Sequence, residues 1–169
     1  MRGQTIGKTM PFGYAGSYSR QPDIIVDTHP AGGSIAIPFG GAVVYGTGGI
    51  VQSFGAVDTA DTFLGVAVRE IKSAMDYKNQ NVGNYQSGEA VPVMKRGCVN
   101  VICQDGTPAE GGTVYVRTVA NEAKPNAAVG GFEASADTGK NVALTNAKWK
   151  GTADGNGVAE LCILTRNNA

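Results

Sequence analysis

The stretch from Glu89 to Arg117 constrains the fold of this chain more than any other. It reads E-A-V-P-V-M-K-R-G-C-V-N-V-I-C, then Q-D-G-T-P-A-E-G-G, then T-V-Y-V-R. Valines recur on alternate positions, the period of a strand with one buried face. Glycine and proline interrupt them where the chain must turn. The pattern predicts a strand, a break at Arg96-Gly97, a second strand, a turn and a third strand. Nothing in it carries chemistry, which points first to a structural role.

Composition narrows the class further. The 169 residues include 25 glycines and 7 prolines. Each glycine inside a helix costs about 0.5–1 kcal/mol relative to alanine, so long helices are disfavoured and a turn-rich β protein is favoured. A hydrophobic content of 42% is enough to build a core. Lys+Arg and Asp+Glu balance at 14 each, which leaves no electrostatic footprint for nucleic acid. Near-zero net charge also gives little protection against association, and it favours a protein whose working state is assembled. No apolar run reaches the roughly 18–20 residues of a membrane-spanning helix. The start, M-R-G-Q-T-I-G-K-T-M-P, lacks the apolar region of a signal peptide, so synthesis in the cytoplasm is expected. On that reading Cys98, Cys103 and Cys162 are expected to be small apolar free thiols.

Residues 1–31 read as an extended N-terminal arm, with Asp23–Asp27 as a short edge strand within it, and 32–169 as one β-rich domain. The arm has no sustained period, and it carries Phe12, Tyr14 and Tyr18 among glycines, serines and prolines. Two readings stand: the rings fill grooves on their own domain, or they become ordered against another subunit. The length and terminal position favour the second. Within the domain, short strands are expected at 34–38, 42–45, 50–52, 62–71, 142–144 and 158–164, with another beginning near Gly131. Leu64, Val66 and Val68 are expected on one face, and Gly65 and Ala67 on the other. Residues 72–88 are polar and asparagine-rich, and read as a projecting loop carrying Tyr77 and Tyr85. Eight to ten short strands with little helix fit a small barrel or sandwich.

Catalytic constellations are missing. His29 is the sole histidine and sits beside Pro30 in turn chemistry, short of the partners that a triad or a multi-histidine metal site needs. Gly46-Thr47-Gly48-Gly49 lacks the last glycine of a dinucleotide loop, because Val51 occupies it. Residues 134–141 fail as a phosphate loop at Ala134 and at Asn141. Asp58, Asp61 and Asp154 match no calcium-loop template, and the cysteines have no C-x-x-C spacing. No catalytic residue, metal or cofactor is expected.

With the strands placed, the succession P-F-G-G-A-V-V-Y-G (38–46), F-L-G-V-A-V-R-E (63–70), G-E-A-V-P-V-M-K-R-G-C-V-N-V (88–101) and G-G-T-V-Y-V (111–116) resembles the structural cement, or head-decoration, proteins of tailed bacteriophages. The opening K-T-M-P with its aromatics is similar to that family's arm. The resemblance covers nearly the whole chain and is weakest at 72–88 and 120–141. It implies a non-enzymatic β-barrel or β-tulip on the outer surface of a virion head, commonly trimeric, bridging neighbouring subunits of the major capsid protein. The expected partner contacts are Met10, Pro11, Phe12, Tyr14, Tyr18 and Arg20 of the arm, with Tyr77 and Tyr85 of the loop. The alternatives are a tail, collar or fibre-base component, and a carbohydrate- or cell-surface-binding module that stacks sugars on Tyr77, Tyr85 and Trp149.

Overall fold

A computed structural model describes residues 11–71, 78 and 82–167. Among them run eleven strands: β1 (Tyr18–Pro30), β2 (Ile37–Pro38), β3 (Ala42–Tyr45), β4 (Val51–Ser53), β5 (Phe63–Ala67), β6 (Asn84–Tyr85), β7 (Ala90–Ile102), β8 (Thr113–Arg117), β9 (Phe132–Glu133), β10 (Asn141–Trp149) and β11 (Val158–Ile163). Nine form one antiparallel sheet, in the order β4-β3-β5-β7-β11-β10-β8-β9, with β1 attached to β7. The sheet curls into a small barrel-like form. The Ala42 N–H donates to the Gly130 carbonyl at 3.0 Å, tying β3 to the segment before β9, and the Gln104 N–H donates to the Phe132 carbonyl at 2.8 Å, tying the end of β7 to β9. The fold is mainly β, with helix limited to short turns.

β7 is the spine of this sheet, and it is one strand where the sequence predicts two. The Arg96-Gly97 break is a bulge inside it. Gly97 has φ +118°, and β1 slips register opposite it, between Arg20 and Ile25 and again between Ile25 and Val26. The bulge changes which side chains face inward. Before it, Met94 enters the main core while Val91 and Val93 point to the opposite face; after it, Val99 and Val101 enter the main core. One extra residue shifts a period-2 strand by one position, so both halves bury their valines without the chain leaving the sheet. A Cβ at Gly97 would stand 2.7 Å from Ile24 Cγ2 and 2.9 Å from the Asp23 carbonyl oxygen. Gly97→Ala is therefore expected to lower stability by about 1–3 kcal/mol, read as a fall in the urea midpoint. An unchanged midpoint would show that β1 gives way freely.

β5 carries a second slip. Val43 pairs with Gly65 but Val44 pairs with Phe63, so a residue is skipped. Leu64 thereby joins the second cluster, while Phe63, Val66 and Val68 enter the main core. The expected shared face of Leu64, Val66 and Val68 is thus broken at Leu64.

Two cores result. The main one lies inside the curl around Trp149, with Phe63 edge-on to Phe132 at 6.2 Å. The other lies on the outer face of β3, β5 and β7, beneath the short ribbon of β2 and β6, and contains Ile37, Val43, Leu64, Tyr85 and Val93. The cysteines also differ from expectation. Cys98 and Cys162 are directly opposed on β7 and β11, 4.0 Å apart at Cα, and joined by a disulfide. Cys103 is free.

The segment expected to be an arm divides at Tyr18. From there it is a 13-residue strand along one edge of β7, longer than the Asp23–Asp27 strand that the sequence predicts. Its opposite edge pairs with no strand among the described residues.

Candidate functional site

Residues 11–17, just before β1, are pinned by their backbone and leave the Phe12 and Tyr14 rings outside. Asn100, buried on β7, is the anchor. Its N–H donates to the Ser17 carbonyl at 2.9 Å, its carbonyl accepts the Gly16 N–H at 2.7 Å, and its Nδ2 donates to the Phe12 carbonyl at 2.8 Å and to Ser17 Oγ at 3.0 Å. The Phe12 N–H donates to Asp154 Oδ2 at 3.0 Å. Burial opposes the Asp154 charge, but backbone N–H groups of Asn156, Val158 and Phe12 outweigh it and hold the carboxyl below its usual range. Gly16, at φ +82°, lets the arm approach the loop after β2, where a Cβ would stand 2.9 Å from the Gly40 nitrogen. With the main chain held, the Phe12 ring is 41% exposed and Tyr14 69% exposed.

The same arm, at Ala15, walls an apolar groove of about 100 Å³ whose other sides are the turn at Phe39–Gly41, the end of β7 and the Ala128–Phe132 loop. Its rim carries Ile102, 48% exposed, and Val129, 38% exposed. Arg69 ties the two parts together: its guanidinium lies 4.6 Å from the centroid of Tyr14 and 5.7 Å from that of Phe39. Aromatic anchors, an arginine and exposed aliphatics beside a groove have the make-up of a protein-binding hot spot. The sequence marks the arm's part of it. Phe39, Arg69, Ile102 and Val129 carry no local signal, because only tertiary closure brings four separate segments together.

The other expected contacts are placed differently. Pro11 is exposed beside Phe12. Tyr18 is half-buried, and its hydroxyl donates to Glu70; burial first, and that carboxylate next, push the phenol well above its ordinary value. Arg20 forks onto the buried Glu160 from β1, with Nη2 2.9 Å from Oε2, and so holds its own strand down. Burial disfavours the Glu160 charge, but the guanidinium outweighs it and keeps that carboxyl below its usual range.

Tyr85 is a correction. It is not on a projecting loop but buried in the second core, edge-on to Phe39 at 5.0 Å, with its hydroxyl donating to the Val68 carbonyl at 2.6 Å. Trp149 is fully buried as well. Neither can stack on a sugar, which removes both from the carbohydrate reading. Met10 and Tyr77 lie outside the described residues.

Among the described residues one group of three possible metal ligands comes together, Cys98, Glu160 and Cys162. The sulfurs are committed to each other and the carboxylate to Arg20, so no open ligand set remains. His29 is half-buried, edge-on to Tyr45 at 5.3 Å.

The family model described as "Structural cement protein (E217 gp24/Pam3 gp6)" matches residues 3–164. The chain belongs to this phage structural cement family. Among solved structures, a chain from "The capsid of Myoviridae Phage XM1" shares the fold, with a TM-score of 0.70 over 96% of each chain and 16% identical residues. No curated protein matches the sequence. The membership covers the segments at 72–88 and 120–141, where the sequence resemblance is weakest.

Proposed function

We propose that this protein binds the outer surface of an assembled phage head and stabilises it by bridging neighbouring subunits of the major capsid protein. The observation that carries the reading is the pairing of a pinned main chain with outward aromatic side chains at Phe12 and Tyr14, next to an apolar groove, in a member of a structural cement family. Little ordering cost remains when such a surface meets a partner, because the backbone is already fixed.

Bridging follows from multiplicity. One arm-and-groove surface grips one neighbour, so a homotrimer presents three such surfaces to three neighbours around one axis. Cooperation among them raises occupancy far beyond what one contact provides. A ligand of the assembled shell that ignores dissociated subunits shifts the assembly equilibrium by mass action. The role is mechanical and requires no catalytic group. The protein is made in the host cytoplasm and resides on the virion.

The test mixes purified protein with undecorated heads and, separately, with dissociated capsid subunits. The protein is expected to co-sediment with heads in a fixed ratio, to ignore free subunits, and to raise the temperature at which heads open. Association with tails or collars but not with heads would overturn the reading.

A further inference from the structure

The Cys98–Cys162 disulfide lies beneath a cavity of about 360 Å³ whose walls include Arg20, Arg96 and Lys150 against the single carboxylate of Asp23. We infer that this cavity is a docking site for anionic low-molecular-weight thiols and disulfides of the glutathione class, which make and break that bond in the folded protein.

Three observations support the assignment. First, both cysteines line the cavity but differ in burial: Cys98 is half-buried, whereas Cys162 is buried. Second, Arg20, Arg96 and Lys150 line the cavity; Arg20 offsets the Glu160 carboxylate beside the sulfurs and Arg96 offsets Asp23, which leaves the Lys150 charge to favour a thiolate over the thiol. The cations also attract the carboxylates of a glutathione-like reagent. Third, the strand pairing does not depend on the bond. Leu161 pairs with Val99 and Ile163 with Gly97 on either side of it, so the ladder can hold while the sulfurs exchange.

Oxidation runs in two balanced steps. The Cys98 thiolate attacks one sulfur of the oxidised reagent, forming a mixed disulfide and expelling one thiolate of the reagent. The Cys162 thiol then loses its proton to solvent, and its thiolate attacks the Cys98 sulfur, closing the protein disulfide and expelling the second thiolate. The protein loses two electrons and two protons, and the reagent's disulfide is reduced to two thiols. Excess reduced reagent drives the same steps backwards. Cys103 serves as an internal reference: it is absent from the cavity wall, and its Sγ contacts the Asp105 carbonyl at 3.3 Å.

The experiment reduces the folded full-length chain, removes the reductant, adds oxidised glutathione and follows intact mass after acid quenching. The expected course is a transient glutathione adduct at Cys98 followed by loss of that glutathione, leaving a chain two hydrogens lighter than its reduced form, and Cys162→Ser should trap the adduct. Arg96→Gln/Lys150→Gln leaves the Arg20–Glu160 pair intact. It should slow the glutathione reaction several-fold and leave oxidation by the neutral hydroxyethyl disulfide unchanged. Equal rates for variant and parent with glutathione, equal slowing with both reagents, an adduct confined to Cys103, or no reaction until the chain unfolds would each overturn the proposal.

Discussion

Arg117→Ala is expected to lower stability by about 3–5 kcal/mol, because it strands a carboxylate that water cannot reach. Arg117 on β8 and Glu133 on β9 are both fully buried, and the guanidinium bonds the Glu133 carboxylate directly. Its other arm reaches Asp137 at 2.9 Å. The pair is embedded in a wider net. Asn141 donates to Glu133 at 2.6 Å, Asn121 donates to Asp137 at 2.9 Å, and Lys124 holds Asp105 at 2.7 Å. These bonds fix residues 120–141, which have little regular structure, against the barrel. They also fix the base of the Ala128–Phe132 loop that walls the groove.

A loss of that size is a large part of a typical domain's 5–15 kcal/mol or so, and it should appear as a marked fall in the urea midpoint. Arg117→Met/Glu133→Leu, which removes both charges, should recover most of it. A midpoint for Arg117→Ala equal to that of the parent would contradict this account.

The same net sets the acid response. Hydrogen bonds from Asn121 and then Arg117 depress the Asp137 carboxyl, and bonds from Lys124 and then Ser135 depress Asp105, both below the ordinary value of 3.8. A carboxyl with a lowered folded-state pKa adds stability that is fully present above its unfolded value and disappears as pH falls through the folded one. Stability should therefore fall on acidification below about pH 4, and less steeply in Arg117→Ala, where one cause of the Asp137 depression is gone.

Phe12→Ala/Tyr14→Ala should leave the fold intact and strip the protein of its capacity to decorate heads. Both side chains stand outward, Tyr14 beneath the Arg69 guanidinium, and the hydrogen bonds that pin this segment run through backbone groups of the arm or through Ser17. Truncating one aromatic anchor at a hot spot typically costs 2 kcal/mol or more, and each 1.4 kcal/mol or so is a factor of ten. Two such losses, repeated in every copy of a multivalent assembly, should reduce occupancy at a fixed concentration by about a hundredfold or more. Retained circular dichroism and urea midpoint would separate this outcome from unfolding. Undiminished occupancy would remove the arm from the binding surface.

Much of the architecture is readable from valine spacing, and its limits have physical causes. Val99, Val101, Val114 and Val116 lie in the main core as their alternation predicts. Gly97 and Gly65 mark the places where alternation fails, because a bulge is a property of two strands and only one is visible in local sequence. The Cys98–Cys162 bond spans 64 residues and depends on the register of β7 against β11, which no spacing rule supplies. Tyr85 sits in a polar, asparagine-rich run that reads as loop, yet pairing of Asn84–Tyr85 with Ile37–Pro38 draws its ring inward. Of the candidate surface, Phe12 and Tyr14 are legible because rings in an aperiodic segment have no core of their own. Ile102 is not, since it continues an apolar strand and is exposed only because β7 ends there.

The most direct measurement is a reconstruction of undecorated heads incubated with the parent protein and, in parallel, with Phe12→Ala/Tyr14→Ala. The account predicts density on the outer surface that spans neighbouring capsid subunits, with the Phe12–Tyr14 arm and the Ile102–Val129 groove facing the shell, and near-empty sites for the variant. Density confined to a single capsid subunit, density on the tail or collar, or equal occupancy by both proteins would contradict it.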